Sequence, residues 1–133
     1  MIERRHIPPR ELAFDLPFPP SLNTMYPTFN GRRVTSEAYK EWQFDAGKYL
    51  MTVRNRFMSG QVEISLTFSE QSRKMDLDNR IKPVLDLLVK NSIIEGDHNR
   101  VVRKITAQWG DACGVHVEIK PAPQWVCRRK AEG

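Results

Sequence analysis

The sequence has little of what marks a cross-linked, metal-clustered or membrane protein. Its two cysteines, Cys113 and Cys127, have neither the spacing of zinc ligands nor the framework of a disulfide-stapled domain, so reduced thiols in a cytoplasmic protein are expected. No apolar run approaches a membrane span. The opening Met1-Ile2-Glu3-Arg4-Arg5-His6 leads into prolines instead of an apolar core, which argues against a secretory signal. Internal repeats and domain-dividing linkers are also missing. Acidic side chains are the minority, 16 against 21 lysines and arginines, and the net charge of +5 permits binding to a polyanion without establishing it.

What is present is enough for one small domain. A chain of 133 residues with 40% hydrophobic composition can bury a modest core. A single domain over 1–133 is expected, with its core at about 11–121 and a basic, flexible tail at 122–133 that includes Arg128, Arg129 and Lys130. Glu11 to Leu16, bounded by prolines, reads as a first strand. Pro17, Pro19 and Pro20 then impose extended backbone, and Asn30-Gly31 signals a turn beside Arg32 and Arg33. A helix beginning at Thr35 or Ser36 and running to about Asn55 would bury Tyr39, Trp42, Ala46, Tyr49, Leu50 and Val53. Gln61 to Ser69 alternates Val62, Ile64, Leu66 and Phe68 with polar residues, a strand with one face buried and one wet.

A second helix starts near Asn79, because Pro83 is tolerable only close to a helix N-terminus, and its core face is Ile81, Val84, Leu85 and Leu88. Val101 to Trp109 and Val115 to Ile119 are the last two strands, expected to pair antiparallel as a hairpin across the loop Gly110 to Gly114. His116 falls on the polar side as a lone exposed histidine. The order β-α-β-α-β-β predicts an α+β fold, a mixed sheet of about four strands with two helices packed against it.

The residues that suggest chemistry lie between the second strand and the second helix. Asp76 and Asp78 are two apart, so extended backbone would project both carboxylates to one side, where their repulsion is relieved most readily by a bound cation. Lys82 follows Asp78 by one helical turn, and Asp97 comes later, after Gly96. Carboxylates suited to a hard metal, with a lysine beside them, suit work on phosphate. Two plainer readings compete. The aspartates could be turn or cap residues, and Asp78, Lys82, Asp86 and Lys90 have the four-residue spacing of a salt-bridge ladder. An EF-hand is excluded, since Ile81 and Leu87 stand where its loop needs glycine and glutamate.

Asp76-Leu77-Asp78-Asn79-Arg80-Ile81-Lys82-Pro83, with Ile93-Ile94-Glu95-Gly96-Asp97 and a strand ending in Trp109, resembles the RusA family of Holliday junction resolvases. Phe18-Pro19-Pro20-Ser21-Leu22-Asn23 resembles that family's opening element, and together the matches span roughly residues 15 to 120. The resemblance implies a compact α+β fold and a magnesium-dependent, structure-selective endodeoxyribonuclease. Such an enzyme resolves four-way junction DNA by paired phosphodiester hydrolysis in recombination and repair, acts as a homodimer, and is common in phages and prophages. It implies Asp76, Asp78 and Asp97 as Mg2+ ligands, Lys82 as the catalytic lysine, and Asn23 near the site. DNA contacts are expected from Asn23, Arg32, Arg33, Arg73 and Lys74. The alternatives are a junction- or duplex-binding protein that does not cut, and a metal-dependent phosphohydrolase of small nucleotides.

Overall fold

The structure, a computed structural model, describes residues 11–21, 28–29, 32–33, 36–53, 57–71 and 74–123, with the backbone alone at 28–29 and 32–33. Asn23, Arg73, Cys127, the basic tail and the expected end of the first helix at 54–56 lie outside the described residues, as do the side chains of Arg32 and Arg33. The strands are β1 (Leu12–Leu16), β2 (Thr28–Phe29), β3 (Arg32–Arg33), β4 (Val62–Ser69), β5 (Val102–Gly110) and β6 (Val115–Pro121). The helices are α1 (Glu37–Leu50) and α2 (Asp78–Lys90). Apart from the small β2–β3 pair around Asn30-Gly31, this is the expected β-α-β-α-β-β order of a single α+β domain.

The four long strands form one mixed sheet in the order β1-β6-β4-β5. β4 pairs parallel with β5 and antiparallel with β6, and β1 closes the other edge antiparallel to β6. The last two strands do run antiparallel, but the expected hairpin is corrected, since they do not pair with each other. β4 lies between them, because a direct β5–β6 hairpin would leave the most strongly alternating strand, with Val62, Ile64, Leu66 and Phe68 all within 1% of full burial, at an edge. The expected alternation along β4 holds, and its central place narrows the wet face. Glu63, Ser65, Thr67 and Ser69 are half-buried between neighbouring strands.

The loop from β5 to β6 must therefore cross the end of β4. Gly114 makes this possible: its φ is +77°, and a Cβ there would collide with the Leu16 carbonyl oxygen. Its own carbonyl accepts a 2.8 Å hydrogen bond from Ser69 N, which closes the ladder.

Both helices bury one face against the same core. Ser36 caps α1, its Oγ accepting from Tyr39 N, and Tyr39, Trp42, Ala46 and Leu50 are buried. The helix ends at Leu50, short of the expected end near Asn55, and Tyr49, expected in the core, is 53% exposed, at the margin of the stripe formed by Tyr39, Trp42, Ala46 and Leu50. α2 buries Pro83, Val84, Leu85, Leu87 and Leu88. It ends in a Schellman turn, Ile93 N donating to Leu88 O and Ser92 N to Val89 O, with Ser92 at a positive φ of 58°. At one end of the core Phe18, Phe68 and Trp109 meet with ring centroids 6.0 to 6.3 Å apart. Phe68, the fully buried one of the three, is worth about 3–5 kcal/mol against alanine.

Among the described residues no helix covers the opposite face of the sheet. There His116 corrects the expectation of a lone histidine: Nδ1 lies 2.8 Å from Asp15 Oδ1 and Nε2 3.3 Å from Glu118 Oε2. Asp15 and His116 are paired across β1 and β6, an adjacency invisible at a separation of 101 residues.

Candidate active site

α2 presents its N-terminus at the edge of the core, and Asp76 and Asp78 lie there. Asp76 and Asp78 are both exposed, one just before the helix and one in its first turn. The capping position is occupied by Leu77, which has αR backbone and offers no side-chain hydrogen bond. Neither aspartate is therefore used as a helix cap, although the helix dipole favours negative charge at this end. Asp76 Oδ2 accepts a long 3.3 Å hydrogen bond from Asn79 Nδ2.

One turn on, Lys82 Nζ lies 3.0 Å from Asp86 Oδ1 and 3.1 Å from Asp97 Oδ2. The ladder reading is thus realised in one rung, Lys82–Asp86, while the lysine also leaves the helix surface to meet Asp97. The hydrogen bond to Asp86, then that to Asp97, raises the lysine's pKa above its ordinary value, against a smaller opposing effect of burial. The ammonium stays charged.

Asp97 reaches this place because its loop is fastened at several points. Ile93 and Ile94 are fully buried, Met58 N donates to Ile93 O at 2.7 Å, and Gly60 N donates to Glu95 Oε2 at 2.8 Å. Gly96 then lies against the His98 ring, where a Cβ would come within 3.0 Å of Nε2. His98 Nδ1 accepts from Arg100 N at 3.3 Å, so this histidine orders the loop locally. A shallow depression of about 590 Å³ opens over the cluster, lined by Lys82, Asp86 and Asp97 with Tyr39 and Gln43 of α1.

The structure joins Asp97 to Lys82, but it does not gather three carboxylates. Among the described residues no group of three His, Cys, Asp or Glu side chains stands close enough to hold a metal ion. Asp97 faces the ammonium and Asp76 faces Asn79. The chemistry of the donor set still fits a hard divalent cation, because Asp76, Asp78 and Asp97 are exposed oxygen donors and none is spent on capping. Lys74 is exposed beside a small hollow lined by Glu70, Gln71, Met75 and Trp109.

One residue of the motif, Arg80, has a role that local pattern did not reveal, and Asp86 has the one that its spacing suggested. Arg80, in the first turn of α2, donates from Nη1 to Pro19 O at 3.0 Å and lies with its guanidinium 5.3 Å from the Phe18 ring centroid. It ties the proline-rich segment to the helix that carries Asp78, and Trp42 Nε1 ties the same segment to α1 through Pro17 O at 2.9 Å. Asp86 is the second anchor of Lys82. Its four-residue offset from Lys82 was the available signal, whereas Arg80 gave none.

Exposed carboxylates and a charged lysine at the start of a helix, on a small α+β scaffold, are equipment for phosphodiester chemistry. The chain belongs to the family Endodeoxyribonuclease RusA, which it matches over residues 17–120, and it is an endodeoxyribonuclease. It is 28% identical over 106 residues to the crossover junction endodeoxyribonuclease rusA of Enterobacteria phage HK97, an alignment covering 75% of this chain and 88% of the relative.

Proposed function

We propose that this endonuclease resolves four-way DNA junctions with Mg2+ held by Asp76, Asp78 and Asp97, and with Lys82 as its catalytic cation. The observation that carries this reading is the Lys82–Asp97 contact of 3.1 Å, which joins the two separated parts of the motif at one exposed place. The phage relative, named a crossover junction enzyme, supports the choice of substrate. A bound divalent ion would supply an activated water and neutralise charge developing on phosphorus.

The chain's own part is to bring fixed charge to the phosphate. Asp86 and Asp97 hold the Lys82 ammonium between them, protonated and oriented before substrate arrives. A preorganised cation of this kind acts chiefly on the transition state, where negative charge is greatest. Arg32, Arg33, Arg73 and Lys74 are assigned to the DNA backbone, where loss of a cation weakens binding and flattens its salt dependence, and Asn23 to a DNA contact near the site. A homodimer would place two such sites on one junction, so that paired nicks resolve it symmetrically. Recombination and repair in a phage or prophage setting is the matching role.

The deciding experiment incubates the protein with labelled junction, duplex and single-stranded DNA, in EDTA and in magnesium. Junction binding in EDTA and paired nicking only with magnesium are expected. Tight junction binding with no cleavage under any divalent ion would establish a non-catalytic binder instead. Preferential hydrolysis of free nucleotides would refute the choice of substrate.

A further inference from the structure

The depression over Lys82 and Asp97 continues along the seam between the helices. A second hollow of about 460 Å³ is lined by Lys40, Phe44, Lys48 and Met51 of α1 and its C-terminus, and by Lys90 and Asn91 at the end of α2. Gln43 and Lys90 line both hollows, so the two form one groove leading away from the site. Three features of the second hollow are hard to explain as packing. Phe44 is 67% exposed and Met51 73%, more than Tyr49, Phe57 or Ile105, the other large hydrophobic side chains left at the surface among the described residues. Lys48 Nζ stands 4.5 Å from the centroid of the Phe44 ring. The lining holds three lysines and no carboxylate.

The spacing is ordered as well. Lys40, Phe44 and Lys48 are four apart and form one stripe of α1. The helix's acids, Glu37, Glu41 and Asp45, fall on the neighbouring stripe, where Glu37 lies 3.8 Å from Lys40. An exposed aromatic ring flanked by cations is how proteins hold unpaired nucleotides. Bases stack on the ring whatever their sequence, and the cations follow the phosphates. A duplex offers no free base face to such a ring, but the point where strands exchange, or a strand end, does.

We propose that the α1–α2 groove is a second DNA subsite, in which a base unstacked at the branch point rests on Phe44 while Lys40, Lys48 and Lys90 bind the phosphates of the strand leaving the active site. This rests on the reading of the chain as a junction nuclease and adds where branched DNA is distinguished from duplex. Lys48, lying over the ring in the absence of DNA, moves to a phosphate as the base takes its place.

The test compares wild type with Phe44→Ala, Phe44→Leu, Phe44→Tyr, Lys48→Gln and, as a control on the helix-free sheet face, Lys120→Gln. Junction and duplex affinities are measured in EDTA over a potassium chloride series, with sedimentation of each variant. Phe44→Ala and Phe44→Leu should each weaken junction binding about tenfold and leave duplex binding nearly unchanged, and Phe44→Tyr should restore it, because stacking needs a ring and not merely apolar volume. Lys48→Gln should lower the slope of log affinity against log salt by about one, and Lys120→Gln should not. Equal junction affinity for Phe44→Leu and wild type overturns the proposal. So does dissociation of an oligomer in the Phe44 variants, which would make this face a contact between copies of the chain. If wild type binds branched DNA but never cuts it, the nuclease reading fails while these affinities still judge the groove. If wild type binds no DNA, both fail.

Discussion

Lys82 is the residue in which the two plain readings of the motif separate. As a rung of a helix-surface ladder it would be worth a few tenths of a kcal/mol and nothing in catalysis. As the cation at the scissile phosphate it should affect turnover far more than affinity. Lys82→Ala is expected to lower the single-turnover rate at saturating protein by on the order of a hundred- to a thousandfold, about 2.7–4 kcal/mol, while junction affinity changes little. Lys74→Ala should do the reverse, weakening binding and reducing its salt slope with the saturated rate preserved. Full-rate cutting by saturated Lys82→Ala would return the residue to the ladder. His116 makes a separate prediction. The hydrogen bond to Asp15 raises its pKa, burial opposes this, and Glu118 adds a further rise. Since the folded pKa lies above the unfolded value, the contribution is complete below about pH 6.5 and is lost as pH rises through the folded value. The stability difference between wild type and His116→Gln in urea titrations should therefore shrink from about pH 6 to about pH 8. It should stay below about 1 kcal/mol, because the His116 and Asp15 side chains are 35% and 57% exposed.

At the scale of elements, the site depends on how two loops cross the sheet ends. The β5–β6 loop passes over β4 and rests against the end of β1, where Gly114 allows an approach that no Cβ permits. Gly114→Ala should destabilise the fold by more than the roughly 1 kcal/mol typical of glycine replacement, because both the positive φ and the space are lost. A chemical-denaturation midpoint equal to wild type would show that the loop can be rebuilt. The second loop carries Asp97, and its fastening to Met58 and Gly60 makes the position of that carboxylate a property of the α1–β4 connection as well as of α2. Arg80 and Trp42 extend the same logic to the proline-rich segment. Each draws it against one helix through a main-chain carbonyl.

For the whole molecule, the homodimer is the expectation that junction chemistry depends on most. Sedimentation at low micromolar concentration should give twice the mass of the chain, and the two nicks in one junction should be nearly simultaneous. A stable monomer that resolves junctions symmetrically would refute it. Among the described residues no helix is long and apolar enough to cross a membrane.

The strands and helices were legible in the sequence because period two and period 3.6 report which side of an element is buried, and burial is local information. β4 and α2 were read nearly to their ends on that ground, and the acidic motif was placed at the mouth of α2 by Pro83 alone. The end of α1, the exposure of Tyr49 and the insertion of β4 between β5 and β6 were not, since periodicity says nothing about which neighbour covers a face. The same limit governs the site. Asp76, Asp78 and Lys82 declare themselves by spacing, but the contacts of Lys82 with Asp97, Arg80 with Pro19 and His116 with Asp15 span 15, 61 and 101 residues. Those distances are closed only when the sheet order is set, because chain path and not local pattern decides which side chains meet.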